Sequence, residues 1–176
     1  GYVGAYAEKC GHQIVAFIDP MLEDGHKIEA PVRTKLQETK RFGHPDSWIV
    51  DRIPQDTDVI GINAPFTDSR ITLYPLVKAI KARYPDKLVV VGGVLATTLP
   101  EQILQECPVD VVVRGEGEIA FARILNGFPL GEVPGLSYWH QGRLVHNEKR
   151  SEQLRLVDQI PSPGYHFRPM SDYVKW

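Results

Sequence analysis

Four runs of mostly apolar residues divide the chain. They fall at residues 14–18, 59–63, 88–91 and 109–113, and valine and isoleucine make up most of each run. An apolar run of this length, without alternating polar residues, is typical of a strand that is buried on both faces. The pattern therefore predicts buried strands at these positions.

Between these runs, apolar residues recur every three or four positions, which is the period of an amphipathic helix. Gly11 is a natural end for the first such stretch, and Ser47 and Thr98 are natural N-caps for two others. The predicted helices are 2–10, 72–84, 99–106 and 119–125, with shorter helices near 34–41 and 48–53.

Strands that alternate with helices predict an α/β fold with an open, doubly wound parallel sheet. After the last helix, the strands predicted at 136–139 and 143–146 flank Gln141 and Gly142, which indicates a β-hairpin. The irregular, proline-containing stretch at 160–164 is typical of a linker. We expect the α/β domain to cover residues 1–130, and the hairpin and linker to cover 131–176.

In open α/β sheets, ligands bind beyond the carboxyl ends of the strands. This rule selects the loops 63–70, 92–98 and 114–118 as the candidate site. Gly92 and Gly93 would let a nucleotide-like tail approach the backbone, although a glycine pair also suits an ordinary tight turn. The Thr97 hydroxyl lies near a helix start, where it is free to contact such a ligand. Thr98 is less free, because it is the predicted N-cap of that helix.

The loop after the last buried run is rich in glycine and glutamate. Gly115 and Gly117 permit a close approach, and Glu116 and Glu118 suit the positive end of the following helix. Acid–base catalysis or metal binding by these carboxylates is disfavoured, because the neighbouring residues supply no further ligands. The six histidines show no metal-ligand spacing, and no nucleophile motif is present.

Composition narrows the class of protein. The 176 residues suit one domain with a short extension, and the net charge of -2 gives no broad surface for nucleic acid or anionic lipid. No apolar run is long enough to span a membrane, and the start does not read as a signal peptide. Two distant cysteines exclude a cysteine-only metal site and favour a reducing cytoplasm.

The three loops, in this order and spacing, resemble the cobalamin-binding domain of cobalamin-dependent radical S-adenosylmethionine (SAM) enzymes. The start of the chain, 1–19, resembles the first helix and second strand of that family. The matching stretches are DVIGINAPFT (58–67), VVVGGVLATTLPEQIL (89–104), VDVVVRGEGEIAF (109–121), VPGLSYWHQGRLVHN (133–147) and LVDQIPSPGYH (156–166).

The resemblance implies a flavodoxin-like (Rossmann-like) sheet with the corrin across its carboxyl edge and the nucleotide tail between the loops. We expect cobalt without a protein histidine as lower ligand, because the DxHxxG motif that supplies it in many cobalamin carriers is not found in this sequence. The implied cofactor-binding residues are Asn63, Ala64, Phe66, Thr67, Gly92, Gly93, Val94, Thr97, Arg114, Gly115, Glu116, Gly117 and Glu118.

The family also sets expectations for the complete protein. Its members carry a CxxxCxxC motif for an iron–sulfur cluster and bind SAM in a downstream radical domain, and this chain has no such motif. We therefore expect this chain alone not to be an enzyme, and its parent to be a methyltransferase or to perform a related radical reaction. The family's first strand should precede Gly1, so we expect an incomplete sheet that a partner segment, for example from a homo-oligomer, would fill.

Two other classes of function remain open at this stage. The domain would keep its glycines but bind nothing if it were a degenerate cobalamin fold that serves as a structural module. It would also fit a flavodoxin-like domain for a nucleotide or phosphate. A receiver domain is disfavoured, because Asp19 has no adjacent acidic partner.

Overall fold

The structure is a computed structural model, and it describes residues 1–33, 38–148, 160–167 and 171. The helices are α1 (Tyr2–Lys9), α2 (Asp46–Asp51), α3 (Arg70–Arg83), α4 (Val94–Thr98), α5 (Pro100–Glu106) and α6 (Glu118–Leu125). The strands are β1 (Glu29–Arg33), β2 (Glu38–Phe42), β3 (Val59–Asn63), β4 (Leu88–Gly92), β5 (Val111–Val113), β6 (Leu136–His140) and β7 (Arg143–His146). No helix of the described residues is long and apolar enough to cross a bilayer.

The main sheet has the strand order β3-β4-β5-β6-β7. The first three strands are parallel, and the hairpin of β6 and β7 extends the same sheet in antiparallel fashion. Asn63 lies opposite Gly92, so β3 and β4 end at the same level. The predicted α/β fold is confirmed, and the candidate loops of β3 and β4 meet at one edge.

Side chains from the two faces of β4 and β5 enter separate apolar clusters. Val89, Val91 and Val112 pack on one face with residues of α3 and α5, while Val90 and Val111 pack on the other face with α6. Fully burying each such side chain contributes roughly 1.5–3 kcal/mol. The buried faces hold the strand ends, and therefore the three loops, in fixed positions.

The predicted strand at 14–18 is wrong. Residues 12–19 form no strand, and no hydrogen bond among the described residues involves the backbone of 13–18. The run is apolar enough for a buried strand, but a strand also needs a neighbour for its N–H and C=O groups. No neighbouring strand lies beside this run in the described structure.

The short helix predicted near 34–41 is also wrong where the structure describes it, because Glu38–Phe42 is the strand β2. Residues 34–37 lie outside the described residues. Strand β2 pairs antiparallel with β1, and Lys40 forms an exposed ion pair of 2.6 Å with Glu29. Alternating charged residues suit an exposed hairpin as well as a helix, so the pattern alone did not decide between them.

Helix starts differ from the predictions in two places. The α2 helix begins at Asp46 after Pro45 rather than at a Ser47 cap. Thr98 does not cap α5, because it closes the additional helix α4, and its hydroxyl donates to the carbonyl of Val94 at 2.9 Å. An extra helix fits here because Gly93 turns the chain directly from β4 into α4 with a positive φ of 98°.

Candidate functional site

The loops after β3 and β4 are joined by backbone hydrogen bonds at the carboxyl edge of the sheet. The N–H of Ala64 donates to the carbonyl of Gly92 at 2.9 Å, and the N–H of Leu95 donates to the carbonyl of Ala64 at 3.1 Å. Ala64 and Leu95 are both buried. The first two loops therefore form one rigid unit, with Ala64 at its centre.

Gly93 is required by this junction. Its φ of 98° and ψ of -170° lie in a region that is essentially restricted to glycine. A β-carbon there would lie 2.6 Å from both the carbonyl oxygen of Ala64 and Oδ1 of Asn63. Gly93 thus lets one loop backbone pack directly on the other, which is a structural role.

Gly92 differs from its neighbour. Its φ is not positive, and a β-carbon built on it would meet no heavy atom within 4 Å. A β-carbon built on Gly115, in the third loop, would also meet no heavy atom within 4 Å, but the φ of 84° at this residue favours glycine. Of these three glycines, only Gly92 has neither a backbone nor a packing reason to be glycine; Gly117, with a φ of -95°, would likewise make only an ordinary contact of 3.5 Å with Val3.

Thr97 connects the second loop with the third. Its hydroxyl donates to the carbonyl of Gly93 at 3.0 Å and accepts from the N–H of Gly115 at 2.8 Å. The sequence placed this hydroxyl against a ligand. In the structure its proton and one lone pair are already used in holding the two glycine loops together.

A cavity of about 840 Å³ opens beside the loops. It is bounded by α1 on one side and by the ends of β3, β4 and β5 on another. The predicted site residues that line it are Asn63, Gly92, Gly93, Gly115, Glu116, Gly117 and Glu118. Seven of the thirteen predicted residues thus line one cavity, whereas most of its wall was not predicted.

The other predicted residues lie around the cavity rather than in its wall. Phe66 is 73% exposed and Val94 is 51% exposed, so both present apolar side chains to solvent near the loop ends. Thr67 is exposed beside Phe66, and buried Ala64 lines an adjoining cavity.

Arg114 points to the hairpin. Its guanidinium donates to the carbonyl of Leu136 at 3.3 Å and to the carbonyl of Asn147. Burial lowers the pKa of this guanidinium from its ordinary value. The side chain therefore ties the third loop to the end of the sheet, and it is not part of the cavity wall.

The two glutamates of the third loop have different surroundings. Glu116 is exposed, whereas Glu118 is 8% exposed in the first turn of α6. Its Oε2 is buried and has no hydrogen-bond partner among the described residues. An unpaired acceptor in the cavity wall suits a ligand that carries N–H or O–H donors.

Some lining residues were missed from the sequence. Val3 of α1 faces Gly117, where a β-carbon would lie 3.5 Å from its Cγ2 atom. Phe121 of α6 lies across the cavity and would be 3.2 Å from a β-carbon on Gly61. A glycine within a run of β-branched residues, as at Gly61, is the signal that was available.

The site offers no metal cage among the described residues, since no three His, Cys, Asp or Glu side chains cluster there. His12 does line the cavity, together with residues 56–58, which precede β3. Its Nε2 lies 3.0 Å from Oδ1 of Asn126. His12 therefore sits toward the amino end of β3, away from the glycine loops.

Comparison with known proteins identifies this architecture. The family model for the B12 binding domain matches residues 2–125, which cover all three loops and the helices α1 to α6. The chain therefore belongs to the B12-binding domain family, and the resemblance inferred from the sequence is confirmed.

Relatives place the chain more narrowly. An uncharacterised methyltransferase of Pyrococcus horikoshii is 37% identical over 67% of this chain and 26% of its own length. The cobalamin-dependent radical SAM methyltransferase TokK of Streptomyces tokunonensis is 38% identical over 49% of this chain and 13% of its own length. The chain is thus a B12-binding domain related to cobalamin-dependent radical SAM methyltransferases, and it spans about a quarter or less of these relatives.

Solved structures agree on the fold. The cobalamin-dependent SAM radical enzyme OxsB, solved with aqua-cobalamin bound, superposes with a TM-score of 0.57 over 73% of this chain and 18% of its own chain. The sequence identity is 22%, so this likeness supports the fold alone.

Proposed function

We propose that this domain holds cobalamin at the carboxyl edge of β3, β4 and β5, with the nucleotide tail of the cofactor in the cavity beside Gly92 and Gly115. The observation that carries the proposal is the open space at Gly92. Glycine in a strand costs roughly 0.5–1 kcal/mol relative to alanine. Neither its φ nor a close neighbour requires glycine there, so a ligand that needs the space supplies the reason.

The surrounding residues fit the cofactor in complementary ways. Glu118 offers its unpaired carboxylate oxygen to N–H or O–H donors, which cobalamin carries on its amide side chains and ribose. Asn63, Glu116 and Gly117 complete the polar wall of the cavity. Phe66, Thr67 and Val94 form a rim toward the corrin, and Phe66 and Val94 supply its apolar surface.

Four of the predicted contact residues take positioning roles in this proposal. Gly93 and Ala64 fix the junction of the first two loops, and Thr97 fixes the third loop against the second. Arg114 holds the third loop to the hairpin. These residues act on the cofactor through the backbone that they place.

Bound cobalamin would supply a cobalt centre able to carry a methyl group. In the complete protein we propose a downstream radical domain, joined through the hairpin and linker at 131–176, that binds SAM and an iron–sulfur cluster. The whole protein would then be a cytoplasmic methyltransferase or a related radical enzyme, and the present chain its cofactor-binding part.

The test is a titration of the purified chain with hydroxocobalamin, followed by desalting and an absorbance spectrum. We expect retention of about one equivalent, and loss of retention in Gly92→Leu, which fills the open space beside the strand. Gly131→Ala is the matched control, because its β-carbon would make only an ordinary contact of 3.5 Å with the Tyr138 hydroxyl, and its φ is not positive.

Each outcome decides between named functions. Retention by the wild type and by Gly131→Ala, but not by Gly92→Leu, supports the proposed site. Equal retention by all three would place cobalamin elsewhere and refute the site. No retention by a folded wild-type chain would favour the structural module, and binding of a nucleotide instead would favour the flavodoxin-like alternative.

A further inference from the structure

Part of the linker folds back onto the first helix of the domain. Residues 163–167, here called the strap, include a short 3₁₀ turn at Tyr165–Phe167. The Nε2 atom of His166 lies 2.7 Å from Oε2 of Glu8, near the carboxyl end of α1. The strap therefore touches α1, although the sequence predicted only a linker in this part of the chain.

The ring of Phe167 lies in a slot between two glycines. A β-carbon on Gly4 of α1 would lie 2.8 Å from the Cε2 atom of this ring, and a β-carbon on Gly164 would overlap the same ring. Neither glycine has a positive φ. Because glycine is less favourable than alanine within a helix, the ring supplies the reason for glycine at position 4. Phe17 stacks on the ring, with centroids 6.0 Å apart and planes at 10°.

The strap also forms part of the wall of the cavity beside the glycine loops. Pro163 and Phe167 line this cavity of about 840 Å³ together with Gly92 and Gly115. Tyr165, between the two strap residues, is 57% exposed and does not line it. The Phe167 ring thus has two neighbours, α1 on one side and the cavity on another.

We propose that the strap is an anchor that fixes the linker on α1 through Phe167, and that a cofactor in the cavity strengthens this attachment. A ligand that fills the cavity meets the strap as well as the glycine loops, so it favours the state in which the strap is attached. Such coupling is reciprocal, and the attached strap raises the affinity for the ligand by the same factor. The coupling rests on the proposed cofactor site, whereas the attachment itself does not.

The attachment is of a kind that a ligand can shift. The side chains of His166 and Glu8 are 63% and 37% exposed, so their ion pair contributes little to stability. The N–H of Gly164 donates to the carbonyl of Gly1 over a long 3.3 Å. An exposed segment whose main apolar contact is one ring opens locally at a small cost in free energy. The chain beyond residue 167 therefore starts from a position that depends on whether the cavity is occupied.

The attachment is tested first in the chain without cobalamin, by amide hydrogen exchange followed by NMR. The Gly164 N–H, which bonds to Gly1, reports on the strap. We expect Phe167→Ala to speed exchange at Gly164 roughly tenfold, and the matched control Tyr165→Ala to leave it unchanged. Exchange at Val90 in the core strand β4 should be the same in all variants, which separates release of the strap from a loss of the fold.

Gly4→Ala tests the slot by comparing two backgrounds. With Phe167 present, the added β-carbon displaces the ring, and exchange at Gly164 should speed up. In the Phe167→Ala background the same change meets no ring, so it should add nothing. Alanine favours the helix, so α1 itself stays intact. Equal effects in the two backgrounds, or unchanged exchange in Phe167→Ala, would overturn the strap.

The coupling is tested with hydroxocobalamin. Saturating cofactor should slow exchange at Gly164 of the wild type roughly tenfold, and Phe167→Ala should weaken the affinity by a similar factor, as linkage requires. Tyr165→Ala should leave the affinity unchanged. An unchanged affinity in Phe167→Ala would overturn the coupling. A wild-type chain that retains no cobalamin would refute the proposed function and the coupling with it, whereas exchange without cofactor decides the attachment separately.

Discussion

Replacement of Gly93 by alanine tests whether the junction between the first two loops holds the site together. The added β-carbon would lie 2.6 Å from the Ala64 carbonyl oxygen and 2.6 Å from Asn63 Oδ1. It would also force a non-glycine residue to adopt a φ of 98°. Gly92→Ala, one residue earlier, meets neither problem and is the matched control.

The backbone strain and the close contact at position 93 together set the expected loss of stability. A non-glycine residue in this backbone region costs roughly 1–3 kcal/mol, and overpacking against a fixed backbone costs roughly a further 1–3 kcal/mol. We therefore expect Gly93→Ala to lower the free energy of unfolding by about 2–6 kcal/mol. Gly92→Ala should be neutral or stabilising by up to about 1 kcal/mol, because alanine restricts the unfolded chain.

Urea denaturation followed by circular dichroism measures both changes. With an m-value of about 2 kcal/mol per molar, the midpoint of Gly93→Ala should fall by roughly 1–3 M while that of Gly92→Ala stays within about 0.5 M of the wild type. Equal midpoints for the two variants would refute the assignment of Gly93 to the fold and Gly92 to the ligand.

Other residues give independent predictions. Thr97→Val should weaken hydroxocobalamin retention by loosening the loops, and Thr97→Ser should restore it, since the serine hydroxyl can make the same two bonds. Arg114→Gln should lower the free energy of unfolding by about 1.5–3 kcal/mol in urea melts, because it loses charged hydrogen bonds to the hairpin. Burial raises the pKa of Cys107 to about 11, so near pH 8 an alkylating reagent should modify exposed Cys10 first, as peptide mapping would show. Because the pKa of Cys107 is raised, the free energy of unfolding should fall as the pH rises from 9.0, the ordinary pKa of a cysteine thiol, toward about 11. Thermal melts at alkaline pH would detect this loss.

The sequence predicted the central strands well because their composition and their surroundings agree. Residues 88–91 are almost entirely β-branched and are covered on both faces, so burial and β-propensity favour the same structure. Residues 14–18 are equally apolar but have no neighbouring strand in the described structure. A pattern along the chain reports burial, whereas strand formation also requires a backbone partner from elsewhere.

The site was predictable as a location but less so as a set of contacts. The strand-end rule found the three loops because it depends only on the parallel topology. The directions of the Arg114 and Thr97 side chains depend on partners at Leu136, Asn147 and Gly115, which no local pattern specifies. Both residues lie in loops that border the cavity, and their bonding partners were not foreseen.

The distinction between the adjacent glycines bears on whether the site still serves a cofactor. A domain that had lost cobalamin would still need Gly93, because the loop junction depends on it. It would have no need of Gly92, where alanine fits without a close contact and would be more stable by roughly 0.5–1 kcal/mol. Glycine at position 92 therefore favours a domain that keeps the space for a ligand over one that retains only the fold.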